Sequence, residues 1–597
     1  MARYIFDIET DGFLDECSKV HSLVLVEADT GKQISCANQT GYIPLQKGLD
    51  ALTNADEIIG HNIIKFDLPV LNKIYPQFRT RAKITDTLVL TRLLWPHIKE
   101  LDYRAIEKKI REHPANLCGS HSLKAWGYRL RCHKGHVDNG FDRWTPKMQT
   151  YCEQDVEVTH TLYRRILKKG VPERASKLEH DIAHLMWKQE QNGFCFDIDK
   201  ATLLLADLNE RRLEIESELQ EIWPPEEEVI PFYPKVNNSK LGYEKGKLFE
   251  KKKIHVFNPS SRKQVGEKLI DKYGWEPEEL TENNLPKVDE TVLNGLPYPE
   301  AKLLAEYFLL QKRLGQLSDG RQAWLKVERD GKIHGSVITN GTVSGRASHA
   351  FPNIAQVPST HSPYGDRCRE LFHVPQGWKL VGADMSGLEL RALAAELHKF
   401  DKGAYAQEVI NGDIHEANKK AAGLNDRSQA KTFIYAFLYG GSAKRIGSVV
   451  GGSTAYGATL IKRFLKATPA IAKLRKAVER QCEKEYLVGL DGRYLHVRSP
   501  HSAVNLLLQS HGAVLCKQWL LIVEKKLALK QLSHGWSGDY AFCAWVHDEV
   551  QIACKEHLAE LIGEICVEAC AEAGKHFDFA CPLDGEFKIG DTWKETH

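Results

Sequence analysis

Two apolar, strand-like runs, far apart in the chain, each end on acid. Val381-Gly382-Ala383-Asp384-Met385 delivers Asp384, and Ser386-Gly387-Leu388-Glu389-Leu390-Arg391 then opens a helix. Ala541–Val546 predicts a second strand, His547-Asp548-Glu549 its turn, and Val550-Gln551-Ile552 the return. Acids at a hairpin tip are ordinarily solvated. Bounded by apolar strands, with an isolated acid on another strand, they make a pair able to hold two divalent ions. Between the runs, Arg427, Lys431, Tyr435 and Tyr439 fall four apart, one stripe of a helix. Such a stripe is ordinarily core. Here its first two members are cations, while Phe433, Ile434, Phe437 and Leu438 supply a separate core face. A helix whose N-terminal half carries cations suits phosphate groups. Carboxylate pair and cationic helix together are equipment for nucleotidyl transfer, in which protein mainly positions reactants and stabilises charge.

Length and composition set the frame. The 597 residues suggest several domains, and 42% hydrophobic with 27% charged residues is ordinary for globular protein. The net charge of +2 neither demands nor excludes nucleic acid, since a polymer-binding cleft needs only local basicity. Fourteen cysteines over this length are no disulfide framework. The chain starts directly on a strand pattern, and the expectation is an intracellular protein with reduced thiols, no secretory signal and no apolar run of membrane-spanning length.

A second acidic constellation lies near the N-terminus. Tyr4-Ile5-Phe6-Asp7-Ile8-Glu9-Thr10 alternates as a strand, so Asp7 and Glu9 share a face. Two acids on one strand face are costly without cations, and a solvated edge sits poorly with Ile5, Phe6 and Ile8 around them. Ile58 to Asp67 ends another apolar run on Asp67. Tyr151 and Asp155 stand one helical turn apart. These segments resemble the three motifs of DEDD-type proofreading exonucleases in their tyrosine-bearing version. That resemblance implies two-metal hydrolysis of a 3′-terminal phosphodiester, with Asp7, Glu9, Asp67 and Asp155 as ligands and Tyr151 orienting the attacking water. Asp86–Leu90 and His121–Leu130 also match phage relatives. Cys118, His121, Cys132 and His136 have a spacing that could make a zinc site, but the gap is short for known zinc folds and an ordinary loop is expected.

The pattern breaks at Lys168-Lys169-Gly170-Val171-Pro172, a domain boundary. An amphipathic helix from Ala175 ends at Asn192-Gly193, and a long one follows to Trp223-Pro224-Pro225. Residues 224–257 are polar and end on Lys245, Lys247, Lys251, Lys252 and Lys253: a solvated loop, or a tip touching duplex phosphates or a partner. Helical patterns resume from Ser260 to Leu317, where Lys312 and Arg313 could reach a duplex.

The stretches around Asp384, Arg427–Gly440 and Asp548 resemble motifs A, B and C of family A DNA polymerases, nearest to the phage T-seven type. The resemblance extends to Val343–Asn353, Asn411–His415, Gly489–Arg493 and Val497–His501, and spans nearly the whole chain. It implies an α/β architecture: an RNase H-like exonuclease domain (1–170) followed by a right-hand polymerase. The latter divides into a helical thumb (171–345, tip about 224–257), an antiparallel palm (346–393 and 506–597) and helical fingers (394–505). It implies that Asp384 and Asp548 bind two Mg²⁺ with the Ala383 carbonyl, and that the exonuclease site takes two more, with Mn²⁺ as alternative ion. Arg427, Lys431 and His415 would bind the triphosphate, with Lys431 as proton donor to pyrophosphate. Tyr439 would stack near the templating base, and Arg346, Gln509 and His547 would touch the minor groove at the primer terminus. Glu389 would close the space of a ribose 2′-hydroxyl. Tyr435, by the same resemblance, implies ready acceptance of dideoxynucleotides.

The function implied is template-directed DNA synthesis with 3′-5′ proofreading, as a phage replicative polymerase in the cytoplasm of an infected bacterium. The partners implied are primer-template DNA, deoxynucleoside triphosphates, a replicative helicase-primase and a single-stranded-DNA-binding protein, with no membrane. The tip segment is visibly shorter than the thioredoxin-binding insertion of the phage T-seven type, which argues against thioredoxin as a partner. Two rivals are a nuclease whose second half only holds DNA and a non-catalytic DNA-binding subunit; loss of Asp384 or Asp548 would mark the first, and both are present.

Overall fold

The computed structural model describes residues 2–110, 112–133 and 142–597. Two compact units divide it: 1–194 with 334–360 and 373–597, and 195–333 with 361–372.

The first unit opens on strands β1 (Arg3–Thr10), β2 (Val20–Glu27), β3 (Gln33–Cys36), β4 (Glu57–Gly60) and β5 (Lys83–Asp86), in the order β3-β2-β1-β4-β5. β1 is central, antiparallel to β2 and parallel to β4, so its acids do not lie on a solvated edge. Helix α1 (Pro146–Lys169) covers the sheet, with Cys152, Val156 and Tyr163 packed against Ile5, Val24, Val26 and Ile59. The Thr145 hydroxyl accepts from the Met148 amide to cap it, Pro146 follows at N1, and Gly170 (φ +81°) ends it. The helix therefore starts well before Asp155, where the apolar run in the sequence begins. Helix α2 (Glu173–Asn192) comes next and belongs to the first unit.

Further along the same unit, β6 (Trp378–Met385) leads into helix α3 (Leu388–Asp401), followed by α4 (Ile414–Ala422), α5 (Arg427–Leu438) and the 27-residue α6 (Ala503–Leu529). The chain closes with β7 (Tyr540–Val546), β8 (Glu549–Lys555), α7 (Ala559–His576) and β9 (Gly585–Gly590). The order β7-β8-β6-β9 is antiparallel throughout. Trp519, Leu520 and Val523 of α6, Ile562, Cys566 and Ala569 of α7, and Ile182 and Met186 of α2 form one core with Val381, Phe542 and Ile552 of this sheet. A second core gathers α3, α4 and α5 with the N-terminal part of α6. Phe433, Ile434 and Leu438 are buried in it, and Phe437 meets Phe464 edge-on at 5.2 Å.

Helix α6 corrects one expectation. With the preceding turn it is long and apolar enough to cross a membrane, yet 78% of its apolar window is buried in protein. It is apolar all round because both cores wrap it. None of the fourteen cysteines forms a disulfide among the described residues.

In the second unit a 25-residue helix, Ile198–Ile222, is capped by Asp197 and tied to the helix Pro299–Leu314 by Arg211, which forks onto Glu306 at 2.8 and 3.0 Å. The polar segment 224–257 holds a two-stranded antiparallel hairpin, Glu226–Phe232 with Phe249–His255, closed at its base by Trp223 against Phe257. Its composition announces no strand, because nearly every side chain in it is exposed. Arg313 corrects a second expectation: only 5% exposed, it donates to the Pro363 carbonyl and Gln316 and cannot reach a duplex.

Candidate functional site: two carboxylate centres

The first centre is built on β6 and the β7–β8 hairpin. Asp384 is paired in register with Glu549 on one side and Glu586 on the other. The Met385 amide donates to the Asp548 carbonyl at 3.0 Å, so the hairpin turn that carries Asp548 touches the end of the strand that carries Asp384. His547 takes the left-handed conformation (φ +60°) that a two-residue hairpin turn requires, and it holds Asp548 beside the strand end. After β6 the chain turns through Gly387 (φ +60°) into α3, placing Glu389 in its first turn. Only glycine takes that backbone region without strain.

The electrostatics follow from crowding. Burial, then Glu586 and Glu549, lift the Asp384 carboxyl to about 6. Burial, Glu389 and Asp384 itself lift Asp548 to about 6. Each aspartate therefore stands among like charges in a low dielectric, an arrangement that a cation relieves.

Glu389 gathers the neighbouring side chains. Its Oε1 accepts from Arg346 Nη2 at 3.1 Å and from the Tyr439 hydroxyl at 3.0 Å. Tyr435, one turn earlier on α5, lies within the field of both Glu389 and Asp548. The lower half of the stripe leads to α4. Arg427 pairs with Asp413 at 2.7 Å, and Asp413 caps α4 through the His415 and Glu416 amides. His415 stands 6.4 Å from the Tyr435 ring, with its imidazole pushed down by burial and by Arg427 and Lys431. Lys431 is exposed on the same face. Burial and the Arg346 charge push the His547 imidazole down, and Gln509 is half-buried on α6.

Several contacts escape sequence reasoning. Glu549, read from the sequence as part of the turn, opens β8 and is buried, accepting from Trp593 Nε1 at 2.6 Å and pairing with His597 Nδ1 at 2.8 Å. Glu586 belongs to a short strand whose pattern carries little signal. Asp413 and its hold on Arg427 depend on how two helices meet.

The second centre lies on β1 and α1. Ligand atoms of Asp7, Glu9 and Cys152 fall within 4.8 Å of one another. Asp67 opens the helix Asp67–Ile74 after β4 and is buried; burial first, then Asp86 and Asp155, push its carboxyl well above the ordinary range. Burial, then Asp7, Glu9, Asp155 and Asp67, push the Cys152 thiol up, so the four acids share one neighbourhood. Cys152 itself is unannounced in the sequence. Tyr151 precedes it on α1, one turn from Asp155. Asp86 holds the loop leading to Asp67 by accepting from the Asn62 and Ile64 amides at 2.8 and 3.2 Å.

His136 lies outside the described residues. Cys118 stands near His113 and Asp102 instead, and Arg129 already forks onto Asp102 at 3.0 and 2.7 Å. That guanidinium neutralises the Asp102 carboxylate.

Comparison with known proteins agrees with this geometry. Residues 236–595 match the model of DNA polymerase family A, and residues 4–167 that of the RNase H superfamily. The chain is 37% identical to a DNA-directed DNA polymerase of Enterobacteria phage T3 over 711 aligned positions, covering 99% of this chain and 100% of the relative; a DNA-directed DNA polymerase of Escherichia phage T7 gives the same figures. The alignments are longer than the chain, so these relatives carry segments it lacks. In fold, the chain matches the POL domain of Pol1 from M. smegmatis with TM-score 0.73 at 16% identity, covering 100% of this chain and 96% of that one. With a family match over more than half its length and relatives 37% identical across almost the whole chain, this chain belongs to the DNA polymerases of family A, joined to an N-terminal domain of the RNase H superfamily.

Proposed function

We propose that the chain is a DNA-directed DNA polymerase with 3′-5′ proofreading exonuclease activity, acting in phage replication in the cytoplasm of an infected bacterium. The observation that carries this reading is the closeness of Asp384, at a strand end, to Asp548, in the hairpin turn beside it, each destabilised as a bare anion, near a helix that carries Lys431 and Tyr435 and is capped by Tyr439. The acids fit a pair of divalent cations, Mg²⁺ or Mn²⁺, with the Ala383 carbonyl as a further ligand. When bound, such ions activate the primer 3′-oxygen and stabilise the triphosphate and its leaving group.

The protein's own groups do the rest. Arg427, His415 and Lys431 bind phosphate oxygens, and Lys431 gives its proton to the departing pyrophosphate. Glu389, fixed by Arg346 and Tyr439, fills the space a ribose 2′-hydroxyl would need. Tyr439 borders the templating base. Arg346, Gln509 and His547 read minor-groove acceptors at the primer terminus. In the second centre Asp7, Glu9, Asp67 and Asp155 hold two cations, and Tyr151 orients the water that cleaves a terminal phosphodiester.

The domain division proposed keeps 1–170 as exonuclease, 171–345 as thumb with its tip at 224–257, 346–393 and 506–597 as palm, and 394–505 as fingers. Primer-template DNA and deoxynucleoside triphosphates are the substrates; a helicase-primase and a single-stranded-DNA-binding protein are the partners to test, and the short 224–257 tip works alone or with a factor other than thioredoxin.

Extension of a labelled primer–template with Mg²⁺ tests the two centres together. Asp384→Ala is expected to abolish extension while leaving degradation of single strands; Asp7→Ala is expected to do the reverse. Extension surviving Asp384→Ala, or degradation as the sole activity of the parent, would overturn the reading.

A further inference from the structure

Four charged side chains are buried together behind Arg346. Glu179 comes from α2, Asp491 and Arg493 from the turn between the strands Tyr486–Val488 and Tyr494–His496, and Lys517 from α6. All four are 2% exposed or less. Arg493 Nη2 donates to Glu179 at 2.7 Å and to Asp491 Oδ2 at 2.6 Å, and its Nε to Asp491 Oδ1 at 2.9 Å. Lys517 Nζ donates to Glu179 and, at 2.7 Å, to the carbonyl of Gly345. Two acids and two bases cancel within the cluster.

Such a cluster is a poor source of stability. Desolvating four charges offsets most of their attraction, and apolar residues of similar volume often serve as well. What the cluster does give is a fixed position for one backbone atom. Gly345 is clamped from two sides. Its carbonyl is held by Lys517, and a Cβ at this position would collide with the Arg493 guanidinium. Its φ of +82° also excludes other residues without strain. The rest of the loop is stiff: the Gly345 amide donates to the Thr342 carbonyl at 3.0 Å, and the Arg346 carbonyl accepts from the Gly341 amide at 3.1 Å and the Thr342 hydroxyl at 3.2 Å. The next side chain is Arg346, aimed at Glu389.

We infer that Glu179, Asp491, Arg493 and Lys517 form a buried cradle whose task is to position Arg346 for sensing the primer terminus. They are positioning residues: none touches the reacting groups, and their effect passes through the Gly345 carbonyl. The inference rests on the role proposed above for Arg346. Because Glu179 stands on α2, the helix that follows the RNase H-like domain, the geometry of terminus reading depends on a segment far from the polymerase motifs in sequence.

The test is a double-mutant cycle in the full chain, made exonuclease-silent by Asp7→Ala with Glu9→Ala so that mismatched ends persist. Single-nucleotide incorporation is measured on matched and terminally mismatched primers for Arg346→Ala, for the charge-balanced pair Glu179→Gln with Lys517→Met, and for all three together. Arg346→Ala is expected to lower the matched-over-mismatched ratio of kcat/KM by about 10-fold or more, and the cradle pair by about 3- to 10-fold, with the loss in kcat and little change in KM for nucleotide. Combined, the three changes are expected to match Arg346→Ala alone within about 2-fold, because both act through one side chain. Multiplying effects, or a folded cradle variant with the parent's ratio, would overturn the inference. If the pair fails to fold, the near-isosteric Asp491→Asn goes through the same cycle with the same criteria. An Arg346→Ala protein that keeps the parent's ratio would refute the role of Arg346 itself, and the cradle's purpose with it; the two failures are told apart by which arm is flat.

Discussion

At the scale of single residues, what decides the chemistry is the cost of leaving carboxylates bare. Asp384 and Asp548 both titrate near 6, above an aspartate's ordinary value. The folded protein therefore binds protons there more tightly than the unfolded chain. In the metal-free protein these groups cost stability above about pH 6, and the cost fades as pH falls and they take up protons. A cation relieves the same cost at neutral pH, and below 6 protons compete with it. The gain in Tm on adding Mg²⁺ should thus be clear at pH 7.5 and shrink towards pH 5. Asp384→Asn with Asp548→Asn should raise the metal-free Tm at pH 7.5 and remove this site's share of the gain. An unchanged gain in that variant would contradict the assignment. Tyr435 stands in the field of Glu389 and Asp548, and the proposed function puts it in the nucleotide site. Tyr435→Phe should increase discrimination against dideoxynucleotides, read as the ratio of incorporation efficiencies; an unchanged ratio would refute the role.

At the scale of elements, the exposed hairpin and the buried helix make opposite predictions. In the hairpin, Glu226, Glu227 and Glu228 lie opposite His255, Ile254 and Lys253, and Lys252 closes on Glu227 at 2.8 Å. Its basic run is partly neutralised from across the ladder, although such exposed pairs contribute only about 0–1 kcal/mol each. Each lysine bound to duplex phosphate would add about 0.9 to the slope of log K against log salt. Changing Lys251, Lys252 and Lys253 to Gln together should shift that slope by less than about 1; a shift near 3 would show that all three hold phosphates. Helix α6, by contrast, is bound into both cores. Trp519 is fully buried and its Nε1 donates to the Cys566 carbonyl at 2.7 Å. Trp519→Ala should cost about 3–5 kcal/mol in denaturant unfolding, since it opens a large cavity where the two helices meet. A loss below about 1 kcal/mol would mean that the core refills the space.

At the scale of the whole molecule, the sequence by itself determined the elements and the chemistry they carry. Period-two runs ending on Asp7 and Asp384, the four-residue stripe on α5 and the glycine-marked turns are local, and local patterning is what a linear chain displays. The sequence also pointed to the acids that would be costly to leave bare, because an acid within an apolar run has no cheap alternative. Only the tertiary structure decided which distant groups meet: Glu586 and Glu549 flanking Asp384, Cys152 among four acids, Asp413 holding Arg427, Arg313 turned into protein, and Glu179 joined to Arg493 and Lys517. It also decided that an apolar 27-residue helix is a core and not a membrane span. The physical reason is the same in each case: burial and Coulomb energy depend on distance in space, and residues far apart in the chain carry no trace of that distance in their spacing.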